Sequence, residues 1–149
     1  MIKQGSVKQI RTGEISRNDG YIIITMCHYP RGLKKGLKDE YRADFAPTRE
    51  LLKDFNESQL LVGHEEAFLR SQYESRFVLK PGALEHLRTT SERAEKQDVY
   101  FICQCEMGER CHREILMLIA HEKFRAPIDK VFHEYPVVME RFRKNQVTL

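Results

Sequence analysis

The sequence predicts an α/β fold: a Rossmann-like three-layer arrangement with a mostly parallel sheet flanked by helices. Two short β-branched and aromatic runs, Tyr21–Cys27 and Val99–Cys105, read as strands. Neither alternates cleanly between apolar and polar residues, as expected of strands covered on both faces. Segments with apolar residues at helical spacing lie between and after them, and strands alternating with helices mark the α/β class.

Taken in order, residues 2–10 are a further candidate strand. The run Tyr21–Cys27 follows the turn signal Asn18-Asp19-Gly20. A helix is predicted from Pro47, a residue suited to a first turn, with Leu51, Leu52 and Phe55 along one side. A second spans His64 to Arg76 with Ala67, Phe68 and Tyr73 inward. A third opens at Pro81-Gly82, turns Leu84 and Leu87 inward and runs through Arg93 to the strand at Val99. Cys111 to Phe124 carries a broad apolar face of Ile115, Leu116, Leu118 and Ile119. A last helix follows Pro136 with Val137, Val138, Met139 and Phe142, a tail that packs on its own chain or docks a second copy in a homodimer.

The 149 residues suit one domain spanning 1–149, and no repeat or linker divides them. An apolar content of 41% beside 32% charged residues excludes wholesale disorder. No stretch approaches the roughly 20 apolar residues of a membrane helix, and the start MIKQGSVKQI lacks the apolar core of a signal peptide. Four cysteines in such a chain point to a reducing, cytoplasmic setting and to thiols or metal ligands rather than disulfides. Positive charge gathers near the N-terminus in Arg31, Lys34, Lys35 and Lys38. That cluster would attract phosphates or nucleic acid, although a solvated face is the commoner reading and only Tyr29 and Tyr41 offer aromatic surface nearby. No Walker loop, GxGxxG, HExxH or GxSxG pattern occurs.

The chemistry concentrates in Cys103-Gln104-Cys105-Glu106-Met107-Gly108-Glu109-Arg110-Cys111-His112-Arg113, between a strand and an apolar helix. Open α/β sheets bind ligands at such a corner. Three readings stand. An anionic or phosphate-bearing small ligand would be held by Arg31, His112 and Arg113, with backbone N–H groups from Gly108 to Cys111 as a cradle. A reactive thiolate would be Cys105 or Cys111, favoured by the helix dipole, with Glu106 or Glu109 carrying protons. A zinc or iron–sulfur site would use Cys103, Cys105, Cys111 and His112, although Cys103 also suits a plain core position. The segment Met26-Cys27-His28-Tyr29-Pro30-Arg31-Gly32 joins this corner if the two strands are parallel neighbours, and Cys27 and His28 would then complete a metal site. His64, His86, His121 and His133 are scattered singly and read as solvent-facing. Tyr41, Tyr73 and Arg76 are candidates to line a cleft or to tether helices.

The chain resembles the domain of unknown function 488 family, of the YeaO-like kind. The resemblance rests on Tyr29-Pro30-Arg31-Gly32, Asp39-Glu40-Tyr41, Ala46-Pro47 with Glu50-Leu51, and Gly63-His64 with Ala67-Phe68. It continues through Tyr73-Glu74-Ser75-Arg76-Phe77 to Cys103-Gln104-Cys105 and Gly108 to Arg113, and spans about residues 20–120. Its most recognisable mark is the Cys-His-Arg triplet after a hydrophobic strand. Cys27 departs from the pattern, since similar sequences more often carry arginine there. The resemblance implies a compact α/β fold and a bacterial or archaeal cytosolic protein, and it brings no reaction with it.

Overall fold

The computed structural model describes all of residues 1–149. Its strands are β1 (Ile2–Ser6), β2 (Tyr21–Ile24), β3 (Glu40–Tyr41) and β4 (Val99–Cys103). They form one parallel sheet in the order β1-β4-β2-β3. The helices are α1 (Val7–Thr12), α2 (Arg49–Val62), α3 (His64–Arg70), α4 (Tyr73–Arg76), α5 (Ala83–Ala94), α6 (His112–Phe124) and α7 (Pro136–Arg143).

The sheet is covered on both sides, so its strands lack the apolar–polar alternation of a half-exposed sheet. On one face, Ile22 and Ile24 of β2 and Ile102 of β4 pack with Val7 and Ile10 of α1 and with Ile15 and Leu33. On the other, Ile23, Val99 and Phe101 join a larger cluster that takes in Leu51 and Phe55 of α2, Phe68 of α3, Leu87 of α5 and Val138 of α7. Each fully buried Ile or Phe contributes about 1.5–3 kcal/mol, and β-branched side chains suit the pleated surface. The layers are therefore unequal: α1 and loops on one side, the remaining helices on the other.

β4 lies at the centre. It pairs with β1 from Ile2–Val99 to Ser6–Cys103 and with β2 from Tyr21–Val99 to Ile24–Ile102. The β2 entry is tight, because a Cβ on Gly20 would lie 2.5 Å from the Asp98 carbonyl oxygen. That carbonyl accepts from the Tyr21 amide at 2.8 Å.

Several boundaries differ from the sequence reading. The strand expected over 2–10 ends at Ser6, because Ser6 Oγ accepts from the Gln9 amide while the Gln9 side chain accepts from the Ser6 amide, a capping box that starts α1. The helix expected over 64–76 is two, separated at Gln72, whose φ of 55° is left-handed. The strand β3 is only two residues long and carries no apolar run to announce it. β2 ends at Ile24 and β4 at Cys103, so Cys27 and Cys105 stand in loops beyond the sheet. No helix is long and apolar enough to cross a membrane.

Candidate functional site

Because β2 and β4 are parallel neighbours, the loops leaving their carboxyl ends emerge side by side. A cleft of about 510 Å³ opens there. Met26, Cys27 and His28 of the β2 loop form one wall. Cys103 and Gln104, with His112 at the start of α6, form the floor, and Cys105, Glu106 and Glu109 line the wall beside it. The opposite side is α2, which presents Leu52, Phe55, Asn56 and Gln59, together with His64 and Tyr73. Thr48 caps α2 by accepting from the Leu51 amide, which fixes where this wall begins.

The floor is a sulfur–imidazole cluster. Cys103, Cys111 and His112 are all buried, and their ligating atoms lie within 4.8 Å of one another. The Cys103 and Cys105 sulfurs are 3.9 Å apart, and Cys111 Sγ is 3.6 Å from His112 Nδ1. His112 Nε2 donates to the Thr25 carbonyl at 2.7 Å, so the ring hangs from the end of β2 with Nδ1 turned toward sulfur. A second cluster adjoins it on the cleft wall: His64, Cys105 and Glu109 also bring their ligating atoms within 4.8 Å. His64 Nε2 donates to the Arg110 carbonyl at 2.7 Å, and its Nδ1 faces Glu109 Oε2 at 3.2 Å.

Protons distribute unevenly over these sulfurs. Hydrogen bonding from Cys105, then from Cys111, holds the Cys103 thiol well below its ordinary pKa despite burial. The same bond pushes Cys105 up, since it is the partner that keeps its proton. Burial alone would lower the His112 pKa, but negative charge on Cys111 and Cys103 overrides it and raises the imidazole to about 10. Burial, then the neighbouring cysteines, raises Tyr73 far above the usual phenol range. Both shifts run toward the charged form, the Cys103 sulfur toward thiolate and the His112 ring toward imidazolium.

Behind the floor, buried charges fix its shape. Glu114 is fully buried and accepts four hydrogen bonds. Tyr135 Oη (2.7 Å) and His133 Nδ1 (3.1 Å) reach Oε1, while Gln4 Nε2 (2.9 Å) and the Phe132 amide (2.6 Å) reach Oε2. Tyr135 Oη in turn accepts from the Cys111 amide at 3.1 Å, which ties the α6 N-cap to this carboxylate.

The sequence-predicted site residues divide. Cys103, Cys105, Glu106, Glu109 and His112 meet in the cleft, with Cys27 and His28 opposite. Cys111 packs directly behind. Arg113, expected at the ligand, is fully buried off the cleft and donates to the carbonyls of Gly5 (2.6 Å), Cys105 (2.9 Å) and Glu106 (3.0 Å). It is the clamp on the loop. Arg31 is exposed and lines no part of the cleft; its carbonyl accepts from Arg11. Gly108 takes a φ of 92° in the loop and likewise stands off the cleft.

Two amides of the expected cradle are committed elsewhere. Glu109 N–H donates to the Glu106 carbonyl and Cys111 N–H to Tyr135. Lys34, Lys35 and Lys38 also stay outside the cleft.

Tyr73, a candidate to line a cleft, lines this one, whereas Asn56, Gln59 and His64 were not expected to share a site with the cysteines. Their signals were weak: polar positions on a helix flank, and a histidine after Gly63 where α2 turns into α3.

A family model described as "Active DUF488-N3 subclade" matches residues 6–123. No curated protein and no solved structure matches the chain.

Proposed function

The chain belongs to the DUF488-N3a family, and from that membership and the cleft we propose that it binds a small polar molecule, bearing an anionic or phosphate group, with the Cys103–His112 cluster as the reacting floor. The observation that carries this reading is the position of the cluster: it lies at the bottom of a cleft of about 510 Å³ at the carboxyl edge of a parallel sheet. The amides of Asn56, Gln59 and Gln104 offer donors and acceptors to a polar ligand. Positive charge for an anionic group comes from the His112 ring, because no lysine or arginine lines the cleft. If the protein catalyses a reaction, a cluster sulfur acts as nucleophile or metal ligand, and Glu106 is the carboxylate free to move a proton.

The test is a panel of polar and phosphorylated small molecules, followed by ligand-observed NMR and thermal shift. Asn56 and Gln59 are solvent-exposed, so Asn56→Ala and Gln59→Ala leave the fold intact. A bound compound should lose at least tenfold in affinity in these variants and none in Arg31→Ala. Absence of binding at millimolar concentrations across the panel, or equal binding by all variants, overturns the reading.

A further inference from the structure

We infer that the cleft floor is a single-ion zinc site in which Cys103, Cys111 and His112 are the protein ligands and the fourth position opens to the cleft. The inference rests on the ligand-cleft reading above and deepens it, because zinc with an open position coordinates an anionic oxygen directly.

Geometry carries it. Zinc takes thiolate sulfur at about 2.3 Å and imidazole nitrogen at about 2.0–2.1 Å in a tetrahedron, which places sulfur and nitrogen about 3.5–3.6 Å apart. Cys111 Sγ and His112 Nδ1 are 3.6 Å apart. Cys103 Sγ completes a trio whose atoms all lie within 4.8 Å. A small shift draws such a trio onto one ion. An iron–sulfur cluster needs its ligands, usually four cysteines, spread around a larger core.

The histidine is oriented as a ligand should be. Metal-bound imidazoles donate their other ring N–H to a carbonyl or carboxylate, which fixes tautomer and ring plane. His112 Nε2 does so to the Thr25 carbonyl at 2.7 Å, leaving Nδ1 as the coordinating atom. The Cys111 amide is held by Tyr135, which Glu114 orients. Supporting bonds therefore reach two of the three ligands.

The fourth position follows from exposure. Cys103 and His112 line the cleft, whereas Cys111 lies behind it. Cys105 is 3.9 Å from Cys103 but also gathers with His64 and Glu109 on the wall, and it belongs to that wall rather than to the ion. Cysteine binds zinc as thiolate and histidine as neutral imidazole, so uptake weakens in acid.

The experiment adds cobalt(II), then zinc, to the reduced and chelator-treated full chain. One cobalt per chain is expected, with the visible bands of four-coordinate cobalt and near-ultraviolet thiolate-to-cobalt charge transfer. Zinc should protect Cys103 and Cys111 from alkylation while Cys27 and Cys105 still react. Cys105→Ser should bind one ion with unchanged charge transfer; Cys111→Ser and His112→Asn should lose at least 100-fold in affinity. Cobalt without charge transfer, or four thiols alkylated equally with and without zinc, overturns the site. Loss of binding in Cys105→Ser overturns the open fourth position. Repeating the small-molecule panel on the metal-free chain separates the two readings: ligand binding there, with no zinc uptake, removes the metal and leaves the cleft standing.

Discussion

His112 Nε2 and the Thr25 carbonyl oxygen, 87 residues apart in the chain, are joined by a buried hydrogen bond of 2.7 Å. The bond pins the start of α6 to the end of β2, where the loops that bound the cleft emerge. Replacing the ring by one of similar shape without N–H, His112→Phe, leaves the carbonyl without this donor and adds apolar bulk beside the sulfurs. We expect a loss of about 1–3 kcal/mol in urea denaturation and faster alkylation of Cys103. Unchanged stability would deny the bond this role.

Glu114→Leu should cost about 3 kcal/mol or more. Two hydrogen-bonding groups face each carboxylate oxygen. An apolar side chain accepts from none of them, so all four buried bonds are lost. Chemical denaturation measures the loss. A variant within 0.5 kcal/mol of wild type, itself about the scatter of surface substitutions, would refute the hub.

Arg113→Lys tests the loop clamp. One ammonium cannot reproduce a planar fork donating to three carbonyls on two segments. The expected result is a loss of about 2 kcal/mol together with increased alkylation of Cys105, whose backbone the fork holds. Equal stability and equal thiol reactivity would show the fork to be dispensable.

Gly20→Ala puts a methyl 2.5 Å from a carbonyl oxygen of the neighbouring chain segment, and that obstacle is backbone. A destabilisation of about 1–3 kcal/mol is expected, with the urea m-value unchanged. A stability equal to wild type would mean that the Asp98 turn yields freely.

Asp98 provides a pH test. Its hydrogen bond from Lys3, reinforced by the Met1 ammonium, holds the carboxyl below its usual pKa. A depressed carboxyl stabilises the fold above its unfolded pKa, near 4, and that contribution disappears as pH falls through the folded value. Asp98→Asn should therefore be the less stable protein at pH 6, by under about 1 kcal/mol given the exposure of the pair. The difference should close below pH 3. A gap that persists in acid would assign the effect to something other than charge.

The sequence made the α/β class legible because covered parallel strands leave continuous apolar runs, and Tyr21–Ile24 and Val99–Cys103 both do so. The corner at Cys103–His112 was legible for the same reason: it follows one of those runs. Roles within it were less so. Arg113 reads as a ligand contact when only its charge and position are known, and three carbonyls supplied by β1 and the loop decide otherwise. His64 and Gln59 carry no local mark of a site, because a helix packed far away in sequence brings them to the sulfurs. The buried carboxylate of Glu114 was equally hidden, lying one residue past a triplet that draws attention to itself. β3 escaped because two residues make no period.

The central strand of the sheet has a consequence for how the chain is made. β4 separates β1 from β2, and it is the last strand to leave the ribosome. Until residue 103 emerges, β1 has no neighbour, and β2 has only the two residues of β3. Nascent chains thus carry bare, apolar strand edges until β4 emerges, the kind of edge that invites wrong pairing. Sheet assembly is a late, long-range event with the slow kinetics of high contact order, and the cleft, which needs the loops after both β2 and β4, comes into being only after it.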